Sequence, residues 1–138
     1  MYSKIMVPVD LRHVDKLGHA LSVAGDLAKL WDATVTYVGV TAAAPSDLGH
    51  TPEEYAERLA AFAEGQGASL GIKAAAHAMV SHDPTTDLDP TLLRAVEETG
   101  ADLVIMASHL PNIADRLWPS NGGTVATRAT ASVMIVRG

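Results

Sequence analysis

Short apolar runs alternate with longer amphipathic stretches along this chain, and the spacing within each tells strand from helix. Tyr2 to Val9 is apolar, β-branched and nearly continuous, as a strand covered by helices on both faces would be. From Asp15, the residues Leu17, Ala20, Leu21, Ala24, Leu27, Ala28 and Trp31 recur at helical spacing and predict an amphipathic helix lying on a sheet. Ala33 to Val40 is again β-branched, and a helical connection back to it implies parallel pairing with the first strand. Gly39, near the end of that run, suggests a close backbone approach.

Thr41 to His50 reads as a loop of small residues, after which Thr51-Pro52-Glu53-Glu54 supplies a capping threonine, a first-turn proline and a glutamate. A helix with Tyr55, Leu59 and Phe62 on its apolar stripe follows, and Gly65, Gly67 and Gly71 are expected to end it before a third strand over Ile72 to Val80. Ser81 to Asp89 is a polar loop, with Asp89-Pro90 as cap and first-turn proline for a helix carrying Leu92, Leu93 and Val96 up to Gly100. Leu103 to Met106 is the cleanest buried strand; Pro111 to Gly123 forms a loop, Thr124 to Thr130 a short helix, and Val133 to Val136 a fifth strand. The order β-α-β-α-β-α-β-loop-α-β with right-handed crossovers predicts one domain over residues 1–138, an α/β fold with a doubly wound parallel sheet and helices on both faces. Ligands of such sheets sit beyond the strand C-termini where the strand order reverses, which singles out Pro8 to Asp10, Val40 to Ala42 and Met106 to Leu110.

Composition narrows the chemistry. Lys and Arg total 10 against 16 Asp and Glu, a formal charge of −6, and this acidic balance without a basic cluster argues against a nucleic-acid partner. The 48% apolar and 19% charged content can support a folded core. The chain has no cysteine, which removes disulfides, thiolate metal sites and cysteine nucleophiles. Its apolar runs are far shorter than the roughly 20 residues needed to cross a bilayer, and Asp10, Arg12 and Asp15 interrupt the only signal-like segment, so no membrane partner and a cytoplasmic location are expected.

Neither a P-loop nor Gly-x-Gly-x-x-Gly follows the first strand, where Asp10-Leu11-Arg12-His13 stands. His13, His19, His50, His77, His82 and His109 are scattered and do not suggest a metal site; Ser108-His109 lacks the nucleophile elbow of a serine hydrolase. Asp10 could accept hydrogen bonds from an adenine amine or a ribose hydroxyl, or else cap a turn. Met106-Ala107-Ser108-His109 could form a small-residue turn that lets backbone N–H groups approach an anion, or an ordinary strand exit. Ser120-Asn121-Gly122-Gly123 could cradle a phosphate at a helix N-terminus, or provide an N-cap.

Lys4-Ile5-Met6-Val7-Pro8-Val9-Asp10, Ala101 to His109, Ser132-Val133-Met134-Ile135-Val136-Arg137 and Asp83-Pro84 together resemble the universal stress protein (UspA-like) family over essentially the whole chain. The resemblance implies an adenine-nucleotide α-hydrolase-like sheet of strand order 3-2-1-4-5. It also implies a cytoplasmic, homodimeric stress-response protein binding ATP or a related adenine nucleotide, accompanied by Mg2+, as a sensor or switch with at most slow hydrolysis. No catalytic residue is expected. The nucleotide positions carried over from the family are Pro8, Val9, Asp10 and Val40 at the ends of the first two strands, and Met106, Ala107, His109 and Leu110 after the fourth. Pro119, Ser120, Asn121 and Gly122 complete them at the end of the loop.

Nucleotide-binding relatives have Gly-x-x-Gly, a spacer and Gly-Ser/Thr here, whereas this chain has Ala107, Leu110 and Pro119 in the glycine positions. Pro119 is the largest departure, since proline lacks an N–H and fixes φ near about −65°. The alternative is therefore a family member without nucleotide that acts as a regulatory module for a protein partner; a turning-over enzyme of the related hydrolase fold is third. Val133, Met134, Ile135 and Val136 form an apolar last strand, and the family's pairing of last strands across a two-fold axis makes them the expected homodimer interface.

Overall fold

A computed structural model describes residues 1–42, 51–81, 88–107 and 130–137, without the side chains of residues 88 and 89. Five strands, β1 (Lys4–Pro8), β2 (Thr34–Ala42), β3 (Lys73–Ser81), β4 (Leu103–Ala107) and β5 (Ser132–Val136), form one parallel sheet in the order β3-β2-β1-β4-β5. The expected fold class and strand order are those observed. A 3₁₀ segment (Leu11–Leu17) leads into α1 (Gly18–Trp31); α2 (Pro52–Leu70) and α3 (Leu88–Thr99) complete the described helices.

Side-chain alternation divides the core between the two faces of the sheet. Ile5, Val7, Val9, Val35, Tyr37 and Ile105 pack beneath α1 and α2, against Leu17, Ala20, Leu21, Ala24, Tyr55 and Leu59. Met6, Val38, Val104 and Met106 pack on the opposite face against Leu92, Ala95 and Val96 of α3. The central strands are buried on both faces, which accounts for the unbroken apolar character of β1 and β4; the edge strands β3 and β5 alternate between covered and exposed.

Several boundaries differ from the sequence expectation for local reasons. β1 starts at Lys4 rather than Tyr2, whose ring instead packs edge-on to Trp31 at 5.2 Å. The helix expected from Asp15 begins at Gly18, because Asp10 caps a tighter turn whose His13 leaves helical geometry at φ −132° and ψ 38°. Gly65 and Gly67 do not stop α2: a side chain at Gly67 would stand 3.2 Å from both Ala74 Cβ and the Ile72 carbonyl, so the glycine lets β3 start close against the helix. Gly71, at φ 68°, is the residue that terminates it, donating its N–H to the Gly67 carbonyl. β2 runs two residues beyond its expected end, to Ala42, and β3 keeps its expected nine residues but lies one position later, Lys73 to Ser81, as the two strands pair with each other over nine positions. Of the loop expected over Ser81 to Asp89, Ser81 belongs to β3, residues 82–87 lie outside the described residues, and α3 already includes Asp89-Pro90. The helix expected over Thr124 to Thr130 lies outside the described residues except for Thr130.

At the N-terminal end of the sheet, Asp102 ties three strands together. Its carboxylate accepts from the Ser3 and Lys4 amides at 2.9 and 3.0 Å and from the Ser3 hydroxyl at 3.1 Å. Its own amide donates to the Lys4 carbonyl, and its carbonyl accepts from Ser132. Partial burial pushes the carboxyl up, but these donors outweigh burial and hold it below its ordinary value.

Candidate functional site

The strand order reverses between β1 and β4, and there the sheet comes apart at its C-terminal edge. The β1–β4 ladder covers only Ile5 with Leu103 and Met6 with Val104, although β4 continues to Ala107 alongside β5. On its other side β1 stays paired with β2 as far as Pro8 opposite Val38, and the Val9 amide donates to the Val38 carbonyl at 2.8 Å. Successive strand amides face opposite neighbours, so the nitrogen of Pro8 faces β4, where proline has no hydrogen to donate. A single proline thus ends the central ladder at the crevice where a doubly wound sheet receives its ligand.

The residues expected at this crevice contribute in two ways. Pro8, Val9, Met106 and Ala107 are buried, with Val9 and Ala107 in the core under α1 and α2 and Met106 in the core under α3. What these four can present to a ligand is main chain. Asp10 and Val40 keep part of their side chains exposed, and the β1–β2 register carried on by two residues sets them side by side. Met106 and Ala107 belong to β4, with Ala107 opposite Val136, so the small-residue turn expected over Met106 to His109 cannot begin before Ser108. The methyl of Ala107 occupies core where a glycine would leave room. His109, Leu110, Pro119, Ser120, Asn121 and Gly122 lie outside the described residues.

Asp10 is also a cap. Its Oδ1 accepts from the Arg12 amide at 3.0 Å, its Oδ2 stands 3.3 Å from His13 Nδ1, and its carbonyl accepts from the His13 amide. The capping reading of Asp10 is the one observed, and its carboxylate keeps lone pairs beyond those used in the cap. Two neighbours of Asp10 were not singled out as site residues from the sequence. One is His13; the other is Tyr55, at the start of α2, where Thr51 Oγ1 accepts from the Glu54 amide to fix the helix end. Gly39 makes room for Tyr55, because a Cβ there would strike the Tyr55 hydroxyl. The hydroxyl is pushed up to about 12, by burial first and by the charge of Asp10 second, with Arg12 opposing. A glycine in β2 followed by an aromatic residue in the first turn of the next helix was the signal available for this contact.

Residues 1–137 match the universal stress protein family. The chain belongs to that family. Among solved structures it is similar to a universal stress protein family member from Burkholderia pseudomallei at 23% identity and TM-score 0.67, covering 98% of this chain and 96% of that one. A universal stress protein in complex with cAMP matches at 21% and 0.68, over 98% and 97% of the two chains. One from Archaeoglobus fulgidus in complex with dAMP matches at 20% and 0.64, over 97% of each. At these identities the likeness establishes the shared fold.

The Asp10 carboxylate is a hydrogen-bond acceptor at the crevice, and the β1–β4 edge beyond Met6 and Val104 leaves main-chain groups outside the ladder. Among the described residues no group of three or more His, Cys, Asp or Glu side chains is placed to hold a metal ion. Among the described residues no helix is long and apolar enough to cross a membrane.

Proposed function

We propose that this universal stress protein binds an adenine nucleotide, ATP or a relative of it, as a sensor or switch with little or no turnover. The observation that carries the reading is the opened β1–β4 crevice with Asp10 and Val40 at its rim. Bound cAMP and dAMP in two structures of the same fold support the ligand class. Asp10 takes the amine or ribose hydroxyl, Val40 packs on the base, and Ser120 with Asn121 and Gly122 meets the phosphates. His109 and Leu110 are further nucleotide contacts in this reading. Among the described residues no group of three or more His, Cys, Asp or Glu side chains could hold a metal ion, and a switch with little turnover needs no such set. Residues 1–138 act in this reading as one domain in the cytoplasm.

The same reading makes the protein a homodimer through β5. Val133, Met134 and Ile135 remain partly exposed on this edge strand while Val136 is buried, leaving an apolar strip for a second copy. Sedimentation of Ile135→Lys against the parent chain tests it; an unchanged molecular mass for the variant and parent would remove β5 from the interface.

The buried methyl of Ala107 favours a second reading, in which the loop holds no phosphate and the protein acts on a protein partner. Calorimetry of nucleotide-stripped protein with ATP and AMP in the presence of Mg2+ separates the two. Micromolar binding that falls at least tenfold in Asp10→Ala, and that tightens in Pro119→Gly, supports the nucleotide switch. Absence of heat and of any thermal shift transfers the function to the second reading. Asp10→Ala should also cost about 1 kcal/mol of stability through its cap, so affinities are compared well below the melting temperature.

A further inference from the structure

Among the described residues the buried side-chain atoms without a hydrogen-bond partner are the Tyr37 hydroxyl, His77 Nε2 and the Ser81 hydroxyl. Tyr37 lies mid-strand with its ring against Phe62, and His77 Nε2 stands 3.6 Å from Glu98 Oε1 on α3. Ser81 differs from both because it stands at the C-terminal end of β3, on the edge of the sheet where a doubly wound fold receives its ligand. The residue is 5% exposed, so bulk water does not serve its hydroxyl, and a buried hydroxyl left unpaired weighs against the fold. Strand register locates it relative to the crevice. Val40 pairs with Met79 and Ala42 with Ser81, while Val40 stands beside Asp10 on its other side. Side chains alternate along β3, so Ser81 shares a face with Met79, and Met79 and Val40 pack into the same core under α3. Ser81 therefore follows Val40 on one face, one strand over and two residues further on. With strands about 4.8 Å apart and a rise of about 3.3 Å per residue, its Cα lies about 8 Å from that of Val40 and about 12 Å from that of Asp10. A purine resting on Val40 fills the interval between the two polar side chains.

We propose that Ser81 is a base-reading residue of the nucleotide site: its hydroxyl oxygen accepts a hydrogen bond from the exocyclic amine of adenine, which leaves Asp10 to the ribose hydroxyl. The inference rests on the nucleotide-binding reading and divides between two residues the contacts that Asp10 alone would otherwise take. The hydroxyl oxygen has the lone pairs for this bond, and the amine has the hydrogens. A neutral hydrogen bond of this kind changes affinity about three- to tenfold. Fold and ligand should then respond in opposite directions, because removing an unpartnered hydroxyl relieves the free protein whereas removing a base contact weakens the complex.

The test uses ATP and purine riboside 5′-triphosphate, which share sugar and phosphates and differ only in the exocyclic amine. Calorimetry compares both ligands on the parent chain, Ser81→Ala and Asp10→Ala, and thermal unfolding is run on each protein without ligand. The parent is expected to bind ATP about three- to tenfold tighter than the analogue. Ser81→Ala should lose that preference by weakening ATP alone, with a melting temperature equal to the parent's or higher. Asp10→Ala should weaken both ligands alike and keep the preference. Equal binding of the two ligands by the parent overturns the proposal and leaves the nucleotide reading standing. So does a preference that survives in Ser81→Ala, the outcome expected if a buried water serves the hydroxyl, or one that disappears in Asp10→Ala. A lower melting temperature for Ser81→Ala also overturns it, since the hydroxyl would then have a partner within the protein. A parent that binds neither ligand sinks the nucleotide reading itself and this inference with it, and is recognised without any variant.

Discussion

Gly39→Ala is a stringent test of how α2 is seated beside the crevice. A Cβ at this position would strike the Tyr55 hydroxyl and stand 3.0 Å from Cζ and 3.1 Å from Cε1 of the same ring. Tyr55 is only 2% exposed and belongs to the core under α2, so the ring cannot swing away into solvent. Overpacking of this kind typically costs about 1–3 kcal/mol, and the rigidity of both partners places this case at about 2–3 kcal/mol. For a chain of 138 residues the corresponding fall in melting temperature is about 8 °C. Thermal unfolding followed by circular dichroism, repeated in urea, measures it. In a Tyr55→Phe background the hydroxyl collision disappears while the two ring contacts remain, and the cost of Gly39→Ala should fall to about 1 kcal/mol. A Gly39→Ala variant within about 0.5 kcal/mol of the parent, or an equal cost in both backgrounds, would show that α2 is not held against β2 by this contact.

Asp102→Ala should cost about 1–2 kcal/mol near neutral pH, because three donors lose their acceptor at the base of β1 and β4. Since the folded carboxyl sits below its ordinary value of 3.8, its contribution is fully present above about that pH and is lost as pH falls through the folded value. Urea unfolding of parent and variant should therefore converge in acid; a gap that stays constant to low pH would contradict the assignment. Tyr37→Phe should be neutral or stabilising by about 1 kcal/mol, because the Tyr37 hydroxyl is fully buried with no hydrogen-bond partner among the described residues, burial pushing it up to about 12. Its ring packs edge-on to Phe62 at 5.3 Å and that contact survives the change, so a loss above about 1 kcal/mol in thermal unfolding would reveal a partner for the hydroxyl.

The parallel α/β architecture was legible because its signals are local and periodic. The unbroken apolar runs of β1 and β4 follow from burial on both faces, and Thr51-Pro52 marks a helix start through a hydrogen bond made within one turn. Asp10 and Val40 could be placed on one sheet edge from the predicted strand ends, and the β1–β2 register then sets them side by side. The family, too, was readable from motifs at the ends of strands. What the tertiary structure decided are relations between residues far apart in the chain or shaped by competing contacts. Gly65 and Gly67 carry the composition of a helix stop, yet the helix continues because β3 packs against it. Ala107 looks like a turn residue but is drawn into β4 by pairing with Val136. Pro8 ends the central ladder only because its nitrogen happens to face β4, and the Tyr55 ring fits against β2 only because Gly39 lies beneath it. Periodicity records which face of an element is buried, whereas the partner on that face is set by packing between elements, and no short window of sequence contains it.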